Sequence, residues 1–199
     1  MAKRAPKANG VRLFVALDLP DQVRDGLAAW QRIELAPIPV LRPVSPEALH
    51  LTLAFLGQRP ERDVARIGSL IERLSSPAPE LRLLPDPAPR PPRRPRLIAI
   101  EAESEGAVTL QAELSAALVA ARVYEPEERP FWPHLTIART RRERRGSRKP
   151  ARVDVLPRAL PEALTRPFFS RRVRLYRSKL RPQGSEYVPL TSTDLKVSM

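Results

Sequence analysis

The 199-residue chain holds two histidines, His50 and His134, and each opens the same pattern: His50-Leu51-Thr52-Leu53 and His134-Leu135-Thr136-Ile137. At typical residue frequencies the chance that both histidines are followed by Leu-Thr is on the order of one in tens of thousands. Alanine follows in both copies. Side chains alternate between faces along a strand, so each pattern sets an imidazole beside a hydroxyl on one face and turns its aliphatic residues to the other. Two such strands facing each other across a groove would gather two imidazoles and two hydroxyls around one centre. An imidazole, with an ordinary pKa of about 6.5, serves as acid in one copy and base in the other, while threonine hydroxyls donate to non-bridging oxygens. That chemistry suits a phosphodiester and needs no metal or other cofactor. A metal centre would lack its third ligand, because neither copy is accompanied by an HExxH helix, a His-plus-carboxylate cluster or a cysteine. The chain has no cysteine, which removes thiolate nucleophiles, disulfides and iron–sulfur clusters, and no GxSxG marks a serine nucleophile.

The elements that must position these residues repeat as well. Residues Arg12 to Leu17 read as a strand, and Asp18 or Pro20 opens a helix with Val23, Leu27, Trp30 and Ile33 at helical spacing. Ser45-Pro46-Glu47 makes a turn, and HLTLAFLG is a strand that Gly57 should stop. A second helix over Arg62 to Leu74 buries Val64, Ile67, Leu70, Ile71 and Leu74. The proline-rich stretch from Pro77 to Pro95 reads as an extended connector with one short strand near Leu81 to Leu84. Beyond it the sequence of events recurs: a strand at Arg96 to Glu101, a helix near Ala107 to Arg122, and the strand containing HLTIAR. A basic loop, TRRERRGSRKPAR, and strand-like FFSRRVRLYRSKL and SEYVPLTS complete the chain. The expected fold class is α+β: two pseudo-symmetric lobes of antiparallel sheet with flanking helices, each giving one HLT strand to a central cleft. Residues 1–10 are expected to be a flexible basic tail and residues 11–199 a single bilobal domain.

Lysine and arginine number 35 against 22 acidic residues, a net charge of +13, which favours phosphate-bearing partners without specifying a fold. No apolar stretch nears the roughly eighteen residues of a membrane span. The apolar piece behind the basic N-terminus, Leu13 to Leu17, is too short for a secretory signal. A cytoplasmic protein that acts as a monomer, away from membranes, is the expectation.

With RLFVALDLP, LHLTLAFLG, RPFWPHLTIAR and LYRSKLRPQGSEYVPL in this order, the chain resembles the two-histidine (2H) phosphoesterase superfamily, most closely its RNA 2',3'-cyclic phosphodiesterase branch, long labelled 2'-5' RNA ligase. The resemblance implies that His50 and His134 are the catalytic pair and that Thr52, Thr136 and Arg139 bind the phosphate. It implies that Phe55 stacks on the nucleobase and that Tyr187 lies near the cleft. It also implies metal-independent hydrolysis of RNA 2',3'-cyclic phosphate ends, tRNA fragments among them, to a 2'-phosphate, with His134 as base and His50 as acid. Strict alternation puts Arg139 on the strand face opposite His134, unless a bulge re-aims it. Phe131 and Trp132 are expected to pack in the core. Two other readings stay open: a non-catalytic RNA- or nucleotide-binding module, and the joining of RNA ends through a 2'-5' linkage.

Overall fold

The computed structural model describes residues 10–144, 146–181 and 184–197. Of the tail expected over 1–10, only Gly10 falls within them, as the first residue of β1 (Gly10–Asp18). Next come α1 (Asp21–Leu35), β2 (Leu41–Pro43), a 3-10 turn (Pro46–Ala48), β3 (His50–Pro60), α2 (Asp63–Glu72) and β4 (Glu80–Arg90). The second half comprises β5 (Leu97–Glu103), α3 (Glu105–Ala120), β6 (His134–Thr140), α4 (Glu162–Thr165), β7 (Phe168–Phe169), β8 (Arg172–Arg181) and β9 (Gly184–Asp194). Among the described residues the strands form one sheet in the order β7-β4-β5-β6-β3-β1-β8-β9, with β2 added along β6. No described helix is long and apolar enough to cross a membrane.

The helices cover one face of the sheet and leave the other for the site. On β1 the alternation is complete: Leu13, Val15 and Leu17 enter the main core under the helices, while Phe14 and Ala16 join Tyr176 in a smaller cluster on the open face. Helix α3 begins where the Ser104 hydroxyl accepts the Ala107 amide, and it buries Ala107, Leu110, Leu114 and Leu118 along one stripe. Helix α1 buries Leu27, Trp30, Gln31 and Leu35. Ile33, expected on this stripe, is 65% exposed, because at about 100° per residue it lies roughly 60° beyond Trp30, outside the arc the buried four span.

The two halves repeat and exchange strands. The series β1-α1-β3-α2-β4 corresponds to β5-α3-β6-α4-β8 with β7 inserted, and within each series the first strand pairs antiparallel with the HLT strand. The last strand of each series crosses over: β4 pairs with β5, and β8 with β1. The halves meet where β3 pairs antiparallel with β6 through Leu51 and Leu135. The two HLT strands are therefore neighbours in one continuous sheet rather than opposite walls of a groove.

Two local expectations change. The stretch read as a connector contains the full strand β4 (Glu80–Arg90), in which Pro87 pairs with Ile100 and Pro89 with Ile98. Prolines two residues apart aim their missing N–H groups the same way, so a one-sided ladder to β5 tolerates both. On the outer side the Pro85 carbonyl accepts the Leu160 amide at 2.8 Å. Gly57, expected to end its strand, sits inside β3 with φ at 68°, where the pairing with β1 slips between Leu13 and Phe14. Glycine adopts this left-handed backbone without the cost of a Cβ, and the strand continues to Pro60.

Candidate active site

Each HLT strand carries one extra residue at the same place in its motif. Against β1, Thr52 pairs with Ala16 and Ala54 with Val15, so Leu53 is a bulge. Against β5, Thr136 pairs with Ala99 and Ala138 with Ile98, so Ile137 is the matching bulge. A bulge shifts the alternation by one, and the sixth residue of each motif returns to the face of the first and third. Phe55 thereby joins His50 and Thr52, and Arg139 joins His134 and Thr136. All six line one cleft of about 1420 Å³ on the open face, together with Phe14 and Tyr187. The alternation conflict at Arg139 is resolved by this bulge.

Extending the register by one residue either side of Leu51 and Leu135 sets His50 across from Thr136 and Thr52 across from His134. The imidazoles are then diagonal neighbours, a relation that spaces the strand positions by about 7–8 Å. That leaves a tetrahedral phosphate room between two proton-transfer groups, with a hydroxyl at each side.

The two imidazoles have different surroundings. His50 lies 5.0 Å from the Phe14 ring and 5.9 Å from that of Tyr176, both stacked, with Tyr187 edge-on at 5.4 Å. Its buried Nδ1 has no hydrogen-bond partner among the described residues. Burial, with Arg139 and then His134 as neighbouring positive groups, pushes its pKa down to about 4. Tyr176 donates to Asp18 at 2.7 Å and Arg174 pairs with the same carboxylate at 3.0 Å. This fixes the ring beneath His50, and burial raises the Tyr176 hydroxyl to about 12.

His134 stacks on Trp132 at 3.8 Å, and its Nδ1 lies 2.8 Å from the Trp132 carbonyl. A carbonyl only accepts, so Nδ1 carries the hydrogen and Nε2 is left with its lone pair. Burial lowers the pKa of His134, opposed by the Trp132 carbonyl and then by Glu101, which pairs with His134 across the β5–β6 ladder. Arg90, from the exchanged strand β4, pairs with Glu101 and covers the Trp132 ring at 4.7 Å. Trp132, expected in the core, is thus outside the core cluster and backs the His134 ring, whereas Phe131 packs against the main core as expected.

Gln31 carries a role the sequence did not disclose. The bulge residue Ile137 turns its carbonyl to the Val44 amide at 3.1 Å and to Nε2 of the buried Gln31 side chain at 2.6 Å. A glutamine on the apolar stripe of α1 was the available signal. Gln31→Met should lower the unfolding free energy by about 0.5–1.5 kcal/mol through loss of this bond. Urea denaturation checks this, and unchanged stability would remove Gln31 as a support of the bulge.

Among the described residues, no group of three or more His, Cys, Asp or Glu side chains converges as metal ligands do. The arrangement offers one lone pair held in place, one buried imidazole beside a guanidinium, two hydroxyls and an aromatic wall.

Comparison with known proteins identifies relatives over most of the chain. The family model for LigT-like phosphoesterases matches residues 17–84. The chain is 34% identical over 194 residues to the RNA 2',3'-cyclic phosphodiesterase of Thermus thermophilus, covering 94% of this chain and 91% of that protein. It is 29% identical to the protein of the same name from Archaeoglobus fulgidus, covering 90% of this chain and 98% of that one. The crystal structure of TT0787 of Thermus thermophilus superposes with a TM-score of 0.74 at 32% identity, over 94% of this chain and all of that one.

Proposed function

This chain belongs to the LigT-like phosphoesterase family of the 2H superfamily, and from that premise we propose that it is an RNA 2',3'-cyclic phosphodiesterase acting through its two histidines without a metal ion. The observation that carries the division of labour is the Trp132 carbonyl at 2.8 Å from His134 Nδ1. A general base needs a free lone pair before reaction and a stabilised cation after it; the carbonyl and Glu101 serve His134 in both respects. The environment of His50 disfavours its cation, which makes the protonated ring a strong acid.

The cyclic phosphate occupies the space between the imidazoles, with Arg139 neutralising its charge and Thr52 and Thr136 donating to non-bridging oxygens. The substrate anion also offsets the field of Arg139 at His50 and favours loading of the proton it will give away. His134 Nε2 takes a proton from water as the water oxygen bonds to phosphorus. The P–O3' bond breaks, and His50 delivers its proton to O3'. A 2'-phosphate and a free 3'-hydroxyl remain, and solvent returns the two histidines to their starting protonation. Phe55 stacks on the base of the terminal nucleoside beside Phe14 and Tyr187.

Both imidazole pKa values lie below the ordinary 6.5, so the bell-shaped profile of kcat/KM, which reports the free enzyme, should be centred on the acidic side of that value. The test is incubation with a 2',3'-cyclic nucleotide and with a short RNA ending in a cyclic phosphate, in EDTA, with chromatographic identification of products. Release of the 2'-phosphate at an undiminished rate supports the proposal. Activity that collapses in chelator overturns metal independence, and an intact ring on bound RNA points to the binding-module reading.

A further inference from the structure

Among the described residues six arginines line the cleft, Arg12, Arg32, Arg42, Arg139, Arg141 and Arg142, and no aspartate or glutamate lines it with them. Elsewhere the protein pairs its guanidiniums freely, as in Arg82 with Glu103, Arg158 with Glu34 and Arg172 with Asp194. Among the described residues Arg12, Arg32, Arg139, Arg141 and Arg142 form no such ion pair. Unneutralised like charges in one concavity repel, so the cleft is arranged for a ligand with several negative charges rather than one.

Four of the six are also arranged in a line. From His134, β6 leads to Arg139, whose ladder partner on β2 is Arg42, and on to Arg141 and Arg142. Strand β6 then opens into a hairpin closed by the Arg142–Pro150 bridge and by the Glu143 amide donating to the Lys149 carbonyl at 3.0 Å. Arg141 is itself anchored, donating from Nε to the Pro39 carbonyl at 2.9 Å. Beyond the bridge Arg144, Arg148 and Lys149 are exposed. The path from His134 to Arg142 is about 26 Å at roughly 3.3 Å per residue, long enough to meet several phosphates in succession. The aromatic side chains lie at the other side of the histidines.

Resting on the function proposed above, we infer that the arm running from Arg139 through Arg142 to Arg144, Arg148 and Lys149 binds the phosphates of the RNA strand that precedes the cyclic end, which makes the enzyme selective for RNA chains over cyclic mononucleotides. The terminal base takes the aromatic side and the body of the strand leaves along the arginines. The arm presents cationic side chains to the phosphate backbone, so recognition there is by charge and independent of sequence.

The test compares kcat/KM for a cyclic mononucleotide and for a decanucleotide ending in a cyclic phosphate, at several salt concentrations. The variants are an Arg142→Ala/Arg144→Ala/Arg148→Ala chain and its Arg→Lys counterpart. Wild type should favour the decanucleotide at least tenfold; the alanine variant should lose most of that ratio and the lysine variant keep it. The slope of log kcat/KM against log salt for the decanucleotide should lessen by about 2 in the alanine variant, three contacts at roughly 0.7 each on a single strand. A wild type that hydrolyses both substrates equally, or an alanine variant with the wild-type ratio, overturns the inference and leaves the proposed activity standing. A wild type that hydrolyses neither overturns the activity, and the inference falls with it.

Discussion

Replacing His134 by alanine is expected to lower kcat by about 10²–10⁴-fold, the usual contribution of a positioned general base. Substrate should still bind, because Arg139, Thr52, Thr136 and Phe55 remain on the cleft face. His50→Ala should fall in the same range for a different reason, since O3' would have to leave unprotonated. The two groups serve one transition state, so the double variant should be little worse than either single one. Each single variant should also lose one limb of the pH profile. A His134→Ala enzyme that keeps more than about a tenth of wild-type kcat would remove this residue from the chemistry.

Loss of Arg139 should have the next largest effect. A well-placed charged donor to a reacting phosphate is worth about 2.7–4 kcal/mol, a factor of roughly 10²–10³ in rate. Arg139→Met should show that loss and a second change that loss of packing does not mimic. Arg139 follows burial among the causes that hold His50 down to about 4. Removing a cation favours the protonated ring, so the His50 pKa should move up toward its ordinary value, and the acid limb of kcat/KM should move up with it. Arg139→Lys retains the charge but loses the planar fork, and should leave His50 depressed while recovering part of the rate. Titration of the imidazole by NMR separates the two: a His50 pKa unmoved in Arg139→Met contradicts the proximity on which the phosphate site depends.

The chemistry was more legible in the sequence than its geometry. Duplication alone picked out His50, Thr52, His134 and Thr136, because alternation is local and both copies obey it as far as the third residue. Phe55 and Arg139 required the resemblance. Their face depends on the bulges at Leu53 and Ile137, and a bulge is a property of two paired strands that one strand's periodicity does not contain. The same limit hid the rings around His50: Phe14 and Tyr176 come from β1 and β8, far apart in sequence, and meet only through cross-strand register. Trp132 was misread because an aromatic next to a buried strand is usually core, and only the stacking on His134 distinguishes it. Strand β4 was hidden by its prolines, which a pattern-based reading counts as breakers and a one-sided ladder accepts. Ile33 shows the reverse error, an apolar residue near enough to the stripe to be counted and exposed nonetheless.

The crossing of β4 and β8 between the halves bears on the order in which the protein is made. Strand β1 leaves the ribosome long before its outer neighbour β8, which begins only at Arg172. Throughout that interval the nascent chain presents an open edge of apolar strand, the kind of surface that invites pairing with another chain. The first half also does not keep its own last strand, since β4 pairs with β5, the first strand of the second half. Vectorial synthesis thus postpones closure of this edge of the sheet until β8 is available. Translation that stalls after β6 would yield a chain bearing both histidines but without the Tyr176 ring beneath the first of them.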